Sequence, residues 1–415
     1  MAKNRSPLAF IYLTIFIDLL GIGILFPVIP QLLANPDSSE YLLPVNMTLA
    51  QGYILLGLLT ASYPIAQFFA APILGQLSDI RGRRPILLIS LFGTAIGYAL
   101  FAIAILMRNI PLLFASRILD GITGGNISVA QAAIADVTTP ENRSRNFGLM
   151  GAVFGLGFIM GPYIGGHLAD PTILPWFNAA TPFWFAAILA IINMVLLFVL
   201  LPETRTKLST EAVHWSQSIR HIVKALGMER LRSFFIVGFL YQSGFSFFVT
   251  FFGVYMISRY GFDQSQIGNV FAYVGIWIAL TQGLLTPIVG KHWSERQILN
   301  VTLIATGLSL MLYLVPGPWH LLLITIPVFA VINGLTQANY MGYLSRSVSE
   351  DVQGEILGIN MSVAALAQAL PPIISGFIAS RFEPGMTIVV ASVIVTASGL
   401  LFIATLRKEM LNPLQ

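Results

Sequence analysis

The chain contains no cysteine and very little charge. None of its 415 residues is Cys, and only 10% are Asp, Glu, Lys or Arg, against about 25% in a soluble domain. The absence of thiols excludes disulfides, thiolate metal sites and cysteine nucleophiles. The scarcity of charge, with 56% hydrophobic residues and a mean hydropathy of +0.80, excludes a soluble enzyme, a nucleic-acid binder and a disordered scaffold. Apolar segments that are apolar on every face exclude a membrane β-barrel, whose strands alternate. The expected class is an all-α polytopic membrane protein, with the lipid bilayer as its solvent.

A membrane span needs about 20 apolar residues. Twelve segments qualify: 8–33, 52–78, 85–107, 110–135, 147–169, 181–201, 231–258, 266–290, 297–316, 319–345, 355–380 and 386–407. Charge tests the count. With twelve spans, 18 of the 22 Lys and Arg fall on one side of the membrane and three on the other, which predicts both termini in the cytoplasm. The stretch 202–232 holds the longest run of charge and reads as a solvated connector with one amphipathic helix. The expected organisation is a six-helix half over 1–201, a cytoplasmic linker over 202–230 and a second six-helix half over 231–415. The halves repeat. Thr139–Ser144 parallels Ser349–Gly354, while Gly148, Pro162 and Gly166 recur as Gly358, Pro372 and Gly376. Duplicated halves are the repeat logic of secondary transporters, which bind substrate near the midplane.

Three ionisable side chains fall inside spans: Asp18, Arg117 and Asp120. Each costs at least a few kcal/mol in lipid, so intramembrane charge reads as functional by default. Two acids stand against one base. If Arg117 pairs with Asp120, Asp18 has no cation and becomes the candidate proton carrier. On a continuous helical wheel Arg117, Asp120, Gly121, Gly124, Ser128 and Gln131 share one stripe, and Asn126 lies opposite. The second half offers uncharged polar groups as candidate substrate ligands: Gln242, Ser246, Asn333, Gln337, Tyr340 and Asn360, with Gln131 from the first half. The five histidines lie at or beyond span ends, which leaves no intramembrane nucleophile–base pair or metal set. No enzyme activity, metal or cofactor is expected.

Four motifs carry a family resemblance. Gly75-Gln76-Leu77-Ser78-Asp79-Ile80-Arg81-Gly82-Arg83-Arg84 joins spans 2 and 3, with Asp79 opposed to Arg83 and Arg84 and with Asp136 as a further partner. Asp18–Pro30 in span 1, Arg117–Gly121 in span 4 and Gly157–Gly166 in span 5 follow in order. Together they resemble the major facilitator superfamily, and within it the twelve-span drug/proton antiporters, especially bacterial tetracycline/proton antiporters. The resemblance implies a twelve-helix fold that exports amphipathic small molecules in exchange for protons by alternating access. It also implies gating roles for Gly75, Asp79, Arg83, Arg84, Asp136, Gly161 and Pro162. Three ionisable positions of the tetracycline antiporters align with Gly97, Ile278 and Thr306, so the resemblance carries over the coupling residues and not the substrate. A drug or a metabolite such as a siderophore fits equally, and an importer or uniporter on the same fold is the alternative. The expected partners are a small-molecule substrate, protons and the lipid bilayer, with no nucleic acid. A monomer in a bacterial inner membrane is expected.

Overall fold

The computed structural model describes residues 8–138, 142–205, 208–210, 213–315, 317–347 and 350–411. Parts of the repeat at Thr139–Ser144 and Ser349–Gly354, and Glu211 of the linker, lie outside them. Among the described residues regular structure is helical throughout. Helices α1 (Leu8–Leu33), α2 (Leu49–Arg81), α3 (Arg83–Leu106), α4 (Ile110–Thr123), α5 (Asn126–Asp136), α6 (Arg143–Leu168) and α7 (Thr181–Leu200) form the first series. A short α8 (Gln217–Gly227) precedes α9 (Glu229–Tyr260), and α10 (Gln264–Leu280) runs through a π turn into α11 (Thr286–Val289). The chain ends with α12 (Glu295–Leu310), α13 (Leu322–Arg346), α14 (Glu350–Arg381) and α15 (Gly385–Leu411).

Helices dominate because lipid offers no partner for a free backbone N–H or C=O. Their ends follow local chemistry. Asn109 caps α4 by accepting from the Leu112 amide at 3.0 Å. Ser294 and Gln297 form a reciprocal capping box at α12, and Gly261 closes α9 at φ 67°. Eleven helical segments among the described residues are long and apolar enough to cross a membrane. The twelfth segment expected from the sequence, 110–135, is divided between α4 and α5, each too short to span alone.

Two compact units emerge. The first comprises Met1–Asn46, Ser62–Gln217 and Asp263–Ala272. Its core joins Ile11 and Ile15 of α1, Ile86, Leu87 and Leu91 of α3, Val129, Ala130 and Ala133 of α5, and Leu197 of α7. One buried hydrogen bond, Asn193 Nδ2 to Thr14 Oγ1 at 2.9 Å, ties α7 to α1. In this unit the start of α10 packs on the end of α6, where Gln264 Nε2 donates to the Ala169 carbonyl at 3.0 Å. The second unit comprises Met47–Ala61, Ser218–Phe262 and Tyr273–Gln415. Phe248, Phe252, Tyr313 and Phe329 pack ring against ring at its centre, with centroids 4.5–5.8 Å apart. The first turns of α2 belong to this unit, and Tyr53 meets Phe251 edge-on at 6.1 Å.

Candidate functional site

Gly124 and Gly125 interrupt the helix between Arg117 and Gln131, and the interruption reorganises the polar stripe read from the sequence. Both glycines keep ordinary negative φ, −71° and −73°, and what requires glycine is the close approach of α2: a Cβ on Gly124 would lie 2.5 Å from the Tyr63 hydroxyl, and one on Gly125 2.7 Å from the Ala71 Cα. Gln67 of α2 holds the break open by donating from Nε2 to the Gly124 carbonyl at 2.7 Å. A continuous wheel sets Asn126 opposite the charges. The structure instead turns α5 so that Asn126 faces the Asp18 carboxyl as its side-chain partner.

Before the break, Arg117 Nη1 contacts Asp120 Oδ2 at 2.7 Å. Both are buried, and the spacing is the helical neighbour distance of three residues. The guanidinium also lies 4.6 Å from the ring centroid of Tyr63, a cation–π contact strengthened by exclusion of water. Asp18 is 4% exposed and within electrostatic reach of Asp120. Its Oδ2 and both amide atoms of Asn126 make no full hydrogen bond. The two acids therefore sit in different states: Asp120 is engaged by a cation, and Asp18 is not. Tyr98 completes the cluster. Its hydroxyl fills the space beside Gly21 so fully that a Cβ at that position would overlap it at 1.6 Å.

The junction between α2 and α3 gathers a second cluster. Arg83 is buried. Its Nη2 meets Asp79 Oδ1 at 2.8 Å, its Nε meets Asp136 Oδ2 at 3.0 Å, and its Nη1 donates to Ser78 Oγ at 2.6 Å. Arg84 takes no part in that triad: its side chain donates to the Phe198 carbonyl and lies over the Phe198 ring. Gly75, on α2, faces Ser128 of α5 across ordinary van der Waals contact. The segment after α7, read from sequence as a solvated connector, is built into this cluster. Glu203 accepts from the Arg83 and Arg84 amides at 2.8 and 3.1 Å, and Arg205 reaches Asp79 and Asp136 at 3.5 and 3.8 Å. Gly82 has φ 95°, and a Cβ there would meet Glu203 Oε2 at 2.3 Å. Nothing in the composition of 202–205 signals this, because the partners are remote in the chain, Asp136 by more than sixty residues and Asp79, Arg83 and Arg84 by more than a hundred.

Gly161 and Pro162 form a close seam between α6 and α1. A Cβ on Gly23 would fall 2.7 Å from Pro162 Cδ and 2.8 Å from the Gly161 Cα. In the second unit Tyr340 donates to Asn360 Oδ1 at 3.1 Å, and Tyr241 donates to Asn333 Oδ1 at 2.7 Å. The Tyr241 and Tyr340 rings are 6.3 Å apart, and Phe234 stacks on Tyr340 at 4.6 Å. Gln337 accepts from Gln282 at 2.9 Å. Gln242 and Ser246 are half-buried on α9, outside this hydrogen-bonded group, and Gln131 is half-buried on α5 in the first unit. The sequence reading missed Tyr63, Gln67, Tyr98, Tyr241 and Gln282. For Tyr63 and Gln67 the available signal was their one-turn spacing on a span facing the Gly-Gly break.

The sequence profile of the Major Facilitator Superfamily matches residues 11–372 and 234–413. The chain belongs to the major facilitator superfamily. It is 34% identical over 377 residues to the class E tetracycline resistance protein of Escherichia coli, covering 88% of this chain and 86% of that protein. It is 32% identical to the class H tetracycline resistance protein of Pasteurella multocida, covering 91% and 90%. Among solved structures, the human organic anion transporter MFSD10 (TETRAN) superposes with a TM-score of 0.72 over 97% of this chain and 100% of that one, at 23% identity. Within this major facilitator chain, Gly97 has a steric reason. A Cβ there would lie 2.9 Å from the Asp120 Cβ, so a third acid at that position would require Asp120 to move. Thr306 is hydrogen-bonded to Thr336 at 2.9 Å.

Proposed function

We propose that this major facilitator chain exports amphipathic small molecules in exchange for protons, with Asp18 as the group that binds and releases the proton. The observation that carries the reading is the asymmetry of the buried acids: Arg117 holds Asp120 at 2.7 Å, whereas Asp18 has a carboxyl oxygen without a hydrogen bond and neutral groups, the Asn126 amide and the Tyr98 phenol, near it. An ionised carboxylate that is desolvated without a cation is costly. Taking a proton, or exchanging it against substrate binding, relieves that cost. Arg117 and Asp120 then supply a fixed field for the exchange.

Asn333, Tyr340 and Asn360 serve in this reading as substrate contacts, together with Gln131, Gln242, Ser246 and Gln337. The rings of Phe234, Tyr241 and Tyr340 offer stacking faces, and the amides orient a polar edge, as in pockets for ring-bearing ligands. The tetracycline resistance of the relatives makes tetracycline the first compound to try. Uncharged residues at Gly97, Ile278 and Thr306 favour a ligand that needs fewer ionic contacts. Asp79, Arg83 and Asp136 lie too far along the spans to touch such a ligand and act by biasing the two access states, with Gly75, Arg84, Gly161 and Pro162 allowing the helices to shift. The chain works as a monomer in a bacterial inner membrane with both termini in the cytoplasm, as the bias of Lys and Arg supports.

The test is substrate-driven proton flux in proteoliposomes across a panel of amphipathic compounds. Compound-dependent proton movement that vanishes in Asp18→Asn is the expected result. Proton movement of wild-type size in that variant, or transport of a compound with no proton movement, would overturn the reading.

A further inference from the structure

The helix α8 has an apolar stripe that the protein leaves uncovered. Trp215 just before it and Ile219, Val223 and Leu226 within it are 75%, 51%, 65% and 50% exposed. Ile219, Val223 and Leu226 recur at helical spacing and so form one contiguous face. An aqueous surface rarely carries such a stripe. The neighbouring face is turned to the protein: Ser218 and Ala225 are buried, and His221 Nδ1 contacts Ser362 Oγ of α14 at 3.0 Å. The remaining face carries the exposed Arg220 and Lys224.

The contact with Ser362 fixes the depth of α8. The apolar stretch of α14 begins near residue 355 in the sequence, so Ser362 lies about two turns inside a membrane span. Gly358, one turn before Ser362, also adjoins the His221 ring, whose Cε1 lies 3.9 Å from where its Cβ would be. A helix held at this level, with Trp at one end and basic residues beside its apolar face, matches the composition of helices that lie in the plane of the interface.

We propose that α8 is a lipid-docking helix, which sinks Trp215, Ile219, Val223 and Leu226 into the cytoplasmic leaflet and recognises anionic phospholipid headgroups through Arg220 and Lys224. The linker is then anchored at the surface between the last helix of one series and the first of the next. This proposal is independent of the proton chemistry and of the identity of the substrate.

The absence of native cysteine makes a direct test available. Single variants Ile219→Cys, Arg220→Cys and Val223→Cys of the full chain carry a nitroxide in vesicles of phosphatidylcholine, with or without phosphatidylglycerol. Collision rates with oxygen, which partitions into lipid, and with a water-soluble nickel complex report depth. The expected result is an oxygen-to-nickel ratio several-fold higher at 219 and 223 than at 220, and higher in the anionic vesicles than in the neutral ones. Adding Arg220→Gln to Ile219→Cys should lower the docked-to-released ratio about fivefold, the effect of removing one basic residue near an anionic surface. Because a label can itself draw a helix into lipid, quenching by brominated phosphatidylglycerol is read on the unlabelled chain as the difference from Trp215→Phe, and should agree. Equal nickel access at 219, 223 and 220 would place the stripe in water and overturn the proposal. So would exclusion of both reagents at 219 and 223, the sign of a protein partner, or identical ratios in neutral and anionic vesicles.

Discussion

Removing the cation of the buried pair should damage this molecule more than removing its acid. Arg117→Ala leaves the Asp120 carboxylate, 2% exposed, without the contact at 2.7 Å, and leaves Asp18 within reach of a second uncompensated acid. Breaking a buried pair by deleting one partner costs about 3–5 kcal/mol. The Tyr63 ring, 4.6 Å from the guanidinium, loses a desolvated cation–π contact of about 2 kcal/mol, partly included in the same figure. Asp120→Asn is milder. The amide keeps the shape, its oxygen still accepts from Nη1, and Arg117 retains Tyr63, so about 1–2 kcal/mol is expected, the scale of one weakened hydrogen bond to a charged group. Replacing both residues by neutral ones removes the uncompensated charge, so Arg117→Ala/Asp120→Asn should be less destabilised than Arg117→Ala alone. The measurement is thermal unfolding of the four proteins in one detergent at one pH, analysed as a double-mutant cycle. Additive losses, with the double variant the least stable of all, would show that the pair is not energetically coupled and would refute the argument.

The other residues give sharper functional expectations. Asp18→Asn should melt within about 1 kcal/mol of the parent, as a near-isosteric change at an oxygen without a partner, yet accumulate no substrate against its gradient under an imposed proton gradient. Asp79→Asn loses contacts with Arg83 and Arg205 at a carboxyl that is 38% exposed. Its stability cost should stay below about 1 kcal/mol, while turnover slows and the distances between spin labels on the cytoplasmic helix ends redistribute. Gly23→Ala should cost about 1–3 kcal/mol, read as a lower melting temperature, because the new methyl meets Gly161 backbone rather than a movable side chain. At the end of α6, burial raises the Asp170 carboxyl, but hydrogen bonds from the Thr172 hydroxyl and amide and from Ser265, with the nearby His167 charge, outweigh it and hold it below its ordinary value. A depressed acid stabilises the fold above its unfolded value near pH 4 and loses that contribution as pH falls through the folded value. Asp170→Asn should therefore flatten the fall in melting temperature between about pH 5 and pH 3, and a fall as steep as the parent's would contradict the assignment.

Which of these features could be read from the residues alone depends on the range of the interaction behind them. The spans were legible because the bilayer imposes one requirement on every residue of a segment. The Arg117–Asp120 pair was legible because its spacing of three is a property of one helix. Asn126 was misplaced because a wheel assumes an unbroken helix, and two glycines reset the phase between the charges and everything after them. Had Gly124-Gly125 been treated as a break, span 4 would have been two half-helices, the form that transporters use around a binding site. The roles of Glu203 and Arg205 were out of reach for a different reason. Each is an ordinary charged residue after an apolar run, and its partners at Gly82, Arg83, Asp79 and Asp136 are joined to it only by folding. The same holds for Tyr98, whose hydroxyl occupies the volume that Gly21 vacates. A glycine in a span thus has two readings that sequence cannot separate, a flexible joint or a cavity for a neighbour's side chain. In this chain Gly124 and Gly21 are both the second: a Cβ on Gly124 would meet the Tyr63 hydroxyl at 2.5 Å, and one on Gly21 would overlap the Tyr98 hydroxyl, so each glycine lets a phenol into the cluster around Asp18.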